Sequence, residues 1–363
     1  MVFVETSEMS STLDLPVLSS RPSRLPLMQF SPSSPLADNY GRPVTYLRLA
    51  ITDRCNLRCA YCMPERMTFL PQRELLTFDE MERLVSILAG LGIRKVRITG
   101  GEPFVRAGVM DFLWRLRDIH GVEEINITTN GVLTAPLIPE LVRLGVGSLN
   151  LSADSFDRER FRLITRRDEF DAVERTFYAA LEHGVNVKVN AVVMEGKNTD
   201  DIVPMAERTR HHAFEMRFIE EMPFNGGQTQ AVSRLAWDYA KIVATLQSAY
   251  PTLQMLEGDV HSTSQHFTIE GHRGTVGVIA GFSRTFCGAC NRLRITAKGM
   301  LKTCLYDAGV ADLRALLRSG ASDDELRSVI IHAVQHRFQD GFEAERDALQ
   351  RAPTLDSMSV IGG

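Results

Sequence analysis

The stretch Thr45-Tyr-Leu-Arg-Leu-Ala-Ile51 leads almost directly into Cys55-Asn-Leu-Arg-Cys59-Ala-Tyr-Cys62. Tyr46, Leu47, Leu49 and Ile51 suit a buried strand, and the strand feeds a loop rich in thiols. The chain then repeats one unit: a short apolar run, a turn, an amphipathic stretch. Strands are predicted over 95–98, 124–128, 148–151, 186–193 and 215–219, and helices over 78–91, 109–118, 135–144, 171–183 and 200–211. Strands alternating with helices form parallel βα units. Six units counted from residue 45 predict an α/β fold, an incomplete (β/α)6 TIM-like barrel. A doubly wound open sheet fits the same alternation.

In either fold, ligands gather at the C-terminal ends of the strands. Three stretches rich in polar residues fall there: Thr128-Thr-Asn-Gly131, Ser152-Ala-Asp-Ser155 and Glu220-Glu-Met222. Another is Thr99-Gly100-Gly101-Glu102-Pro103, a turn whose glycines would let backbone approach a ligand closely. Lys188 is flanked by Val187 and Val189 inside a strand. Its charge must face a polar cavity, a counter-ion or an exposed edge.

Cys55, Cys59 and Cys62 are an odd number for disulfides and one short of a closed structural zinc site. Three thiolates on a [4Fe-4S] cluster leave one iron open to a ligand from outside the protein. Cys287, Cys290 and Cys304 repeat the theme as C-x2-C-x13-C, with no histidine between them. Two separate clusters are the simplest reading, and zinc shared between the groups is the alternative. Directly after Cys290 comes Asn291-Arg292-Leu293-Arg294-Ile295. In a strand Arg292 and Arg294 share a face while Leu293 and Ile295 point to the core. Two guanidinium forks beside an open iron suit a phosphate-bearing substrate.

The chain has 363 residues, 44% hydrophobic and 24% charged, a composition typical of soluble globular proteins. No apolar run nears the ~18 residues of a membrane span. A net charge of −4 gives no general attraction to nucleic acid or an anionic membrane, so neither is expected as a partner and any anion site must be built locally. Clustered cysteines indicate metal in a reducing compartment. Glu5, Glu8 and Asp14 are unlike a secretory or transit signal, so a cytoplasmic location is expected. Residues 1–44, rich in serine and proline, are expected to form a flexible arm. Residues 45–224 would be the partial barrel. Residues 225–363 would be a C-terminal region with a loop at 225–228, a helix over 235–250 and strand-like alternation over 267–279.

C-x3-C-x2-C with Tyr61 before the last cysteine, followed by the Gly100-Gly101-Glu102-Pro103 turn, resembles the radical S-adenosylmethionine (SAM) superfamily. Adding C-x2-C-x13-C, Asn291-Arg-Leu-Arg294 and the terminal Ser359-Val-Ile-Gly-Gly363, the chain from residue 45 resembles the molybdenum cofactor biosynthesis protein A family, the GTP 3',8-cyclases. The resemblance implies a radical SAM barrel with a C-terminal α+β region carrying a second [4Fe-4S] cluster. It also implies a lyase of molybdopterin biosynthesis that cleaves SAM reductively to a 5'-deoxyadenosyl radical. That radical takes hydrogen from C3' of GTP, giving (8S)-3',8-cyclo-7,8-dihydroguanosine 5'-triphosphate. Tyr61, Gly101, Ser152 and Met222 would contact SAM; Arg48, Arg97, Thr128, Lys188, Arg292 and Arg294 would contact GTP, with guanine on the open iron of the second cluster. Arg292, Arg294, Gly362 and Gly363 would serve catalysis, the double glycine entering the barrel with its carboxylate near Arg97 or Lys188. Implied partners are a flavodoxin- or ferredoxin-like electron donor, the next molybdopterin-pathway enzyme and a second copy in a homodimer. A radical SAM peptide-modifying enzyme and a zinc-stabilised nucleotide-binding module are the competing readings. The first would carry more C-terminal cysteines than these three.

Overall fold

The computed structural model describes residues 36–222, 235–351 and 357–362. The proposed boundary at 224, the loop at 225–228 and Gly363 lie outside these residues. Six strands come first: β1 (Tyr46–Ala50), β2 (Lys95–Thr99), β3 (Glu124–Thr129), β4 (Ser148–Ser152), β5 (Val187–Val193) and β6 (Glu215–Glu220). They pair in parallel and in sequence order. Sequential order without a reversal is that of a barrel and excludes the doubly wound alternative.

Six more strands follow: β7 (Gln254–Leu256), β8 (Ser264–Thr268), β9 (Thr275–Ile279), β10 (Arg292–Ile295), β11 (Met300–Lys302) and β12 (Ala311–Asp312). They extend the same sheet at both ends, in the order β12-β11-β10-β1-β2-β3-β4-β5-β6-β9-β8-β7. Both β10 on β1 and β9 on β6 are parallel, so the C-terminal region widens the partial barrel on each side. The alternation over 267–279 resolves into the antiparallel pair β8 and β9.

The first helices are α1 (Phe78–Gly90), α2 (Val109–Arg117), α3 (Ile138–Leu144), α4 (Arg158–Thr165), α5 (Phe170–Glu182) and α6 (Ile202–Glu207). Five match expected spans. The segments over 135–144 and 200–211 each contain a 3-10 turn, so α3 and α6 are shorter than their periodicity suggests. Helix α4 was not expected: Arg158, Arg160, Arg162 and Glu159 mask a short pattern in which Phe161 and Ile164 are buried. At α1, the Thr77 hydroxyl accepts from Glu80 N and the Glu80 carboxylate accepts from Thr77 N, a capping box. Helix α7 (Tyr239–Ala249) begins later than 235 because Asp238 caps it. Next come α8 (Leu313–Arg318), α9 (Asp323–Gln335), α10 (Gly341–Arg351) and α11 (Met358–Ile361).

The predicted arm does not extend to residue 44. Leu36 and Val44 are buried in the main core, and Asp38 and Arg42 form a buried ion pair at 2.6 Å. A composition rich in serine and proline hides these few anchoring side chains.

Side chains alternate along the parallel strands. Leu47, Leu49, Val96, Ile98, Ile127, Leu149, Val187, Val189, Met216 and Phe218 belong to the apolar core. Their neighbours Arg48, Arg97, Thr128, Asn150, Lys188 and Arg217 line a cavity. Barrels of this kind usually fill their centre with branched apolar residues. Here the centre is polar and open.

A candidate active site inside the partial barrel

Strand register builds the charge of the cavity. Arg294 pairs with Arg48 across β10 and β1, and Arg48 with Arg97 across β1 and β2. Three guanidiniums therefore stand in one row. One step back, Arg292, Tyr46 and Lys95 form a second row. Like charges in register are destabilising in a sheet, and Arg97, Arg292 and Arg294 are also buried. Burial, then the nearby Arg294, pushes the Arg48 guanidinium well below its usual range. Burial, then Arg292, brings Arg294 down to about 10. Burial would raise the Tyr46 phenol, but Arg97 and Arg48 hold it at about 8, and Arg97 Nε donates to its oxygen at 2.5 Å.

Arg48 Nε in the first row is buried without a hydrogen-bond partner, and so are Arg292 Nη2 in the second row and the Thr128 hydroxyl on β3. Buried donors without partners cost free energy. They fit an anion entering between the strands. Lys188 sits on a central strand, not an edge, and answers to a counter-ion: Glu215 at 3.8 Å. Burial, then Arg217, lowers its ammonium. Glu215 also accepts from Arg217 at 2.7 and 2.8 Å and from His266 Nδ1 at 2.8 Å. Burial opposes its charge, but His266 and Arg217 hold the carboxyl at about 2.

Both cysteine groups face the same cavity of about 480 Å³. Burial raises Cys55 to about 11 and Cys62 to about 12, and Cys59 rises through burial, Asp154 and its two fellow cysteines. Mutual repulsion among three thiolates is the field that a positively charged metal centre relieves. Among the described residues no three His, Cys, Asp or Glu side chains converge as the ligands of a single ion. The six thiols are soft donors in two groups of three, a set that fits iron-sulfur clusters. In the second group burial would raise Cys290, yet Arg292 and Arg337 bring it to about 6.

The expected SAM residues also line the cavity: Tyr61, Gly101, Ser152 and Met222. The need for glycine in the turn has a more local cause than ligand approach. A Cβ on Gly100 would lie 2.4 Å from Thr52 O, and one on Gly101 2.3 Å from Arg54 O. The turn packs against the backbone that leads to Cys55, so it sets the position of the cysteine loop. Glu102 secures it, accepting from Phe104 N, the Thr129 hydroxyl and Asn130 N, and burial raises its carboxyl to about 7. A Cβ on Gly281 would meet Met222 Sδ at 2.9 Å, so this glycine makes room for the methionine.

The C-terminal segment crosses the site. The Ser357 hydroxyl donates to Cys62 O at 2.7 Å, Val360 and Ile361 are buried, and Gly362 O accepts from Arg294 Nη1 at 2.8 Å. Gly362 has φ +87, and a Cβ there would lie 2.2 Å from Thr99 Oγ1. Its carbonyl meets Arg294; the carboxylate expected near Arg97 or Lys188 belongs to Gly363, outside the described residues. Every sequence-predicted site residue among those described lines one cavity, except Gly362, which meets it through Arg294. Lys95, Arg217, Glu215, His266 and Tyr46 were missed. The signal for Arg217 was present, since it repeats the pattern of a charge between apolar strand neighbours, Met216 and Phe218; Lys95 follows Arg94 and carries no such signal.

Residues 49–209 match the family model Radical SAM superfamily, and residues 214–342 match Molybdenum Cofactor Synthesis C. A GTP 3',8-cyclase of Chlorobaculum tepidum is 39% identical over 330 residues, covering 90% of this chain and 97% of that protein. The chain belongs to the GTP 3',8-cyclase family. Another GTP 3',8-cyclase, from Heliobacterium modesticaldum, is 40% identical and matched over its whole length. Molybdenum cofactor biosynthesis protein 1 of Bos taurus is 42% identical over 82% of this chain, but the chain spans only 47% of that longer relative. SuiB of Streptococcus suis, solved with bound S-adenosylmethionine, shares the fold with a TM-score of 0.53 and 14% identity, over 74% of this chain and 60% of that one.

Proposed function

We propose that this cavity is where GTP is cyclised between C3' and C8, in a radical SAM lyase of molybdenum cofactor biosynthesis. The observation that carries the reading is the in-register row Arg294, Arg48, Arg97, a positive field with the Arg48 Nε donor buried and unpartnered at its centre. A triphosphate satisfies it. Cys55, Cys59 and Cys62 would hold one [4Fe-4S] cluster with SAM, and Cys287, Cys290 and Cys304 a second, beside guanine. When bound, the first cluster and SAM supply a 5'-deoxyadenosyl radical able to take hydrogen from C3' of GTP.

The chain's own residues bind, orient and exclude water. Arg48, Arg97, Arg292, Arg294 and Lys188 grip phosphate, while Thr128 offers a hydroxyl to the nucleotide. Tyr61, Gly101, Ser152 and Met222 surround SAM. Gly362 brings its backbone to Arg294 with no side chain in the way of the reacting centres, and a catalytic role for Gly363 belongs to the same proposal. An electron donor of flavodoxin or ferredoxin type, hand-off to the next pathway enzyme, a homodimer and a cytoplasmic location belong to the same proposal. Among the described residues no helix is long and apolar enough to cross a membrane. Anaerobic incubation with SAM, dithionite and GTP is expected to yield 5'-deoxyadenosine together with a cyclised nucleotide. 5'-Deoxyadenosine without nucleotide product would return the chain to a different radical SAM substrate.

A further inference from the structure

The two cysteine groups differ in who donates hydrogen bonds to their sulfurs. In the first, Cys55 Sγ accepts from Leu57 N at 3.4 Å and from the Asn130 amide at 3.5 Å, both neutral donors. In the second, Cys290 Sγ accepts from Arg337 Nη2 at 3.0 Å. Arg337 comes from just beyond α9 and is itself buried. All of its nitrogens are engaged around the second group. Nε donates to Thr303 O at 2.9 Å, Nη1 to Cys290 O at 2.8 Å, and Nη2 also to Arg292 O at 3.1 Å. The guanidinium therefore ties the loop before Cys304 to the strand that presents Arg292.

Asp38 holds this guanidinium from behind, 3.4 Å from Nη1, and pairs with Arg42 at 2.6 Å. Arg42 in turn donates to Cys287 O at 3.0 Å and Phe338 O at 2.8 Å. Residues 36–44 are thus part of the wall behind the second cysteine group.

On the reading that Cys287, Cys290 and Cys304 hold an iron-sulfur cluster, we propose that Arg337 is a positioning residue for it, raising its reduction potential through the bond to Cys290 sulfur. A guanidinium carries a delocalised positive charge on a rigid fork of donors. Hydrogen bonds to ligand sulfur and nearby charge set cluster potentials. A buried cation favours the more negative, reduced state. The same cation offsets the thiolates' charge, so that a polyanionic nucleotide can lie against that cluster.

The test uses the full chain with Cys55, Cys59 and Cys62 changed to alanine, reconstituted anaerobically so that only the second group binds iron. Reduction is followed by electron paramagnetic resonance during potentiometric titration. R337Q is expected to retain its iron but shift to lower potential, by a tenfold or greater change in the reduction equilibrium, which is 59 mV for one electron. R337K, which keeps charge but cannot span the same acceptors, is expected to shift less. If R337Q takes up no iron, R337K decides alone. An unmoved potential in the loaded variants overturns the proposal and leaves Arg337 as packing. A parent protein that takes up no iron overturns the cluster reading itself, and this proposal with it.

Discussion

Arg48 stands between two other guanidiniums with its Nε unpartnered, so its cost and its use are opposite in sign. Replacing it by methionine removes a buried like charge while keeping the packing. Arg48→Met is expected to weaken GTP binding by about tenfold to over a hundredfold, the worth of a charge-assisted contact. The nucleotide-free protein should melt higher, by roughly 2 °C. Calorimetry for binding and circular dichroism for melting measure both; a lower melting point would mean the row is not strained. Glu215 carries the second residue-scale expectation. Its carboxyl sits at about 2 because His266 and Arg217 outweigh burial. A depressed pKa contributes stability above the ordinary range near pH 4.3 that is lost as pH falls toward 2. Glu215→Gln should therefore be less stable than the unchanged chain at pH 7, by on the order of 2 to 3 kcal/mol, the gap closing between about pH 4.5 and 2. Urea unfolding of cluster-free protein tests this, and a gap independent of pH would contradict it. The cysteines, arginines and Lys188 were legible because their chemistry is unusual at those spacings. Glu215 and His266 were not, since an acid and a histidine near strand ends are ordinary until the fold brings them together.

At the scale of elements, the tail and the glycine turn act through close approach. Ser357 to Gly362 runs from Cys62 to Arg294, linking the two cysteine groups across the mouth. A chain ending at Ile361 is expected to take up both clusters and fold normally yet lose cyclisation, as read by product formation and iron content. Gly362→Ala should be impaired too, because the new methyl meets Thr99 Oγ1 and the positive φ disfavours it. Full activity in either would remove the tail from the site. The parallel strands were readable to within a residue or two, since short apolar runs between turns leave little freedom. Helix α4 was not readable, because its buried stripe is only Phe161 and Ile164 with Thr165 among charged residues. The reason for Gly100 and Gly101 was also hidden, because Thr52 and Arg54 are distant in sequence from the turn they crowd.

For the whole molecule, the sequence suggested a barrel followed by a separate C-terminal region, and the structure joins them in one sheet. Spacing alone cannot reveal which strand pairs with which when partners are far apart. Strands β9 and β10 cover both edges of the six-strand unit, so that unit should not persist alone. A chain ending at Met222 is expected to aggregate. In the full chain, amide exchange in β1 and β10 should slow together and be lost together on denaturation. Independent protection of β1 would argue against a single cooperative unit.

The pairing of β1 with β10 also has a consequence for synthesis. Thr45 and Asn291, bonded side chain to side chain, are 246 positions apart. At bacterial or eukaryotic elongation speeds, roughly 12 to 50 s separate the emergence of one strand from that of its neighbour. Throughout that interval the first strand leaves the ribosome with one backbone edge bare, and Cys55 to Cys62 reach the cell's iron-loading machinery long before the second trio exists. The two metal centres of one pocket would then be filled in a fixed order, set by the direction of translation.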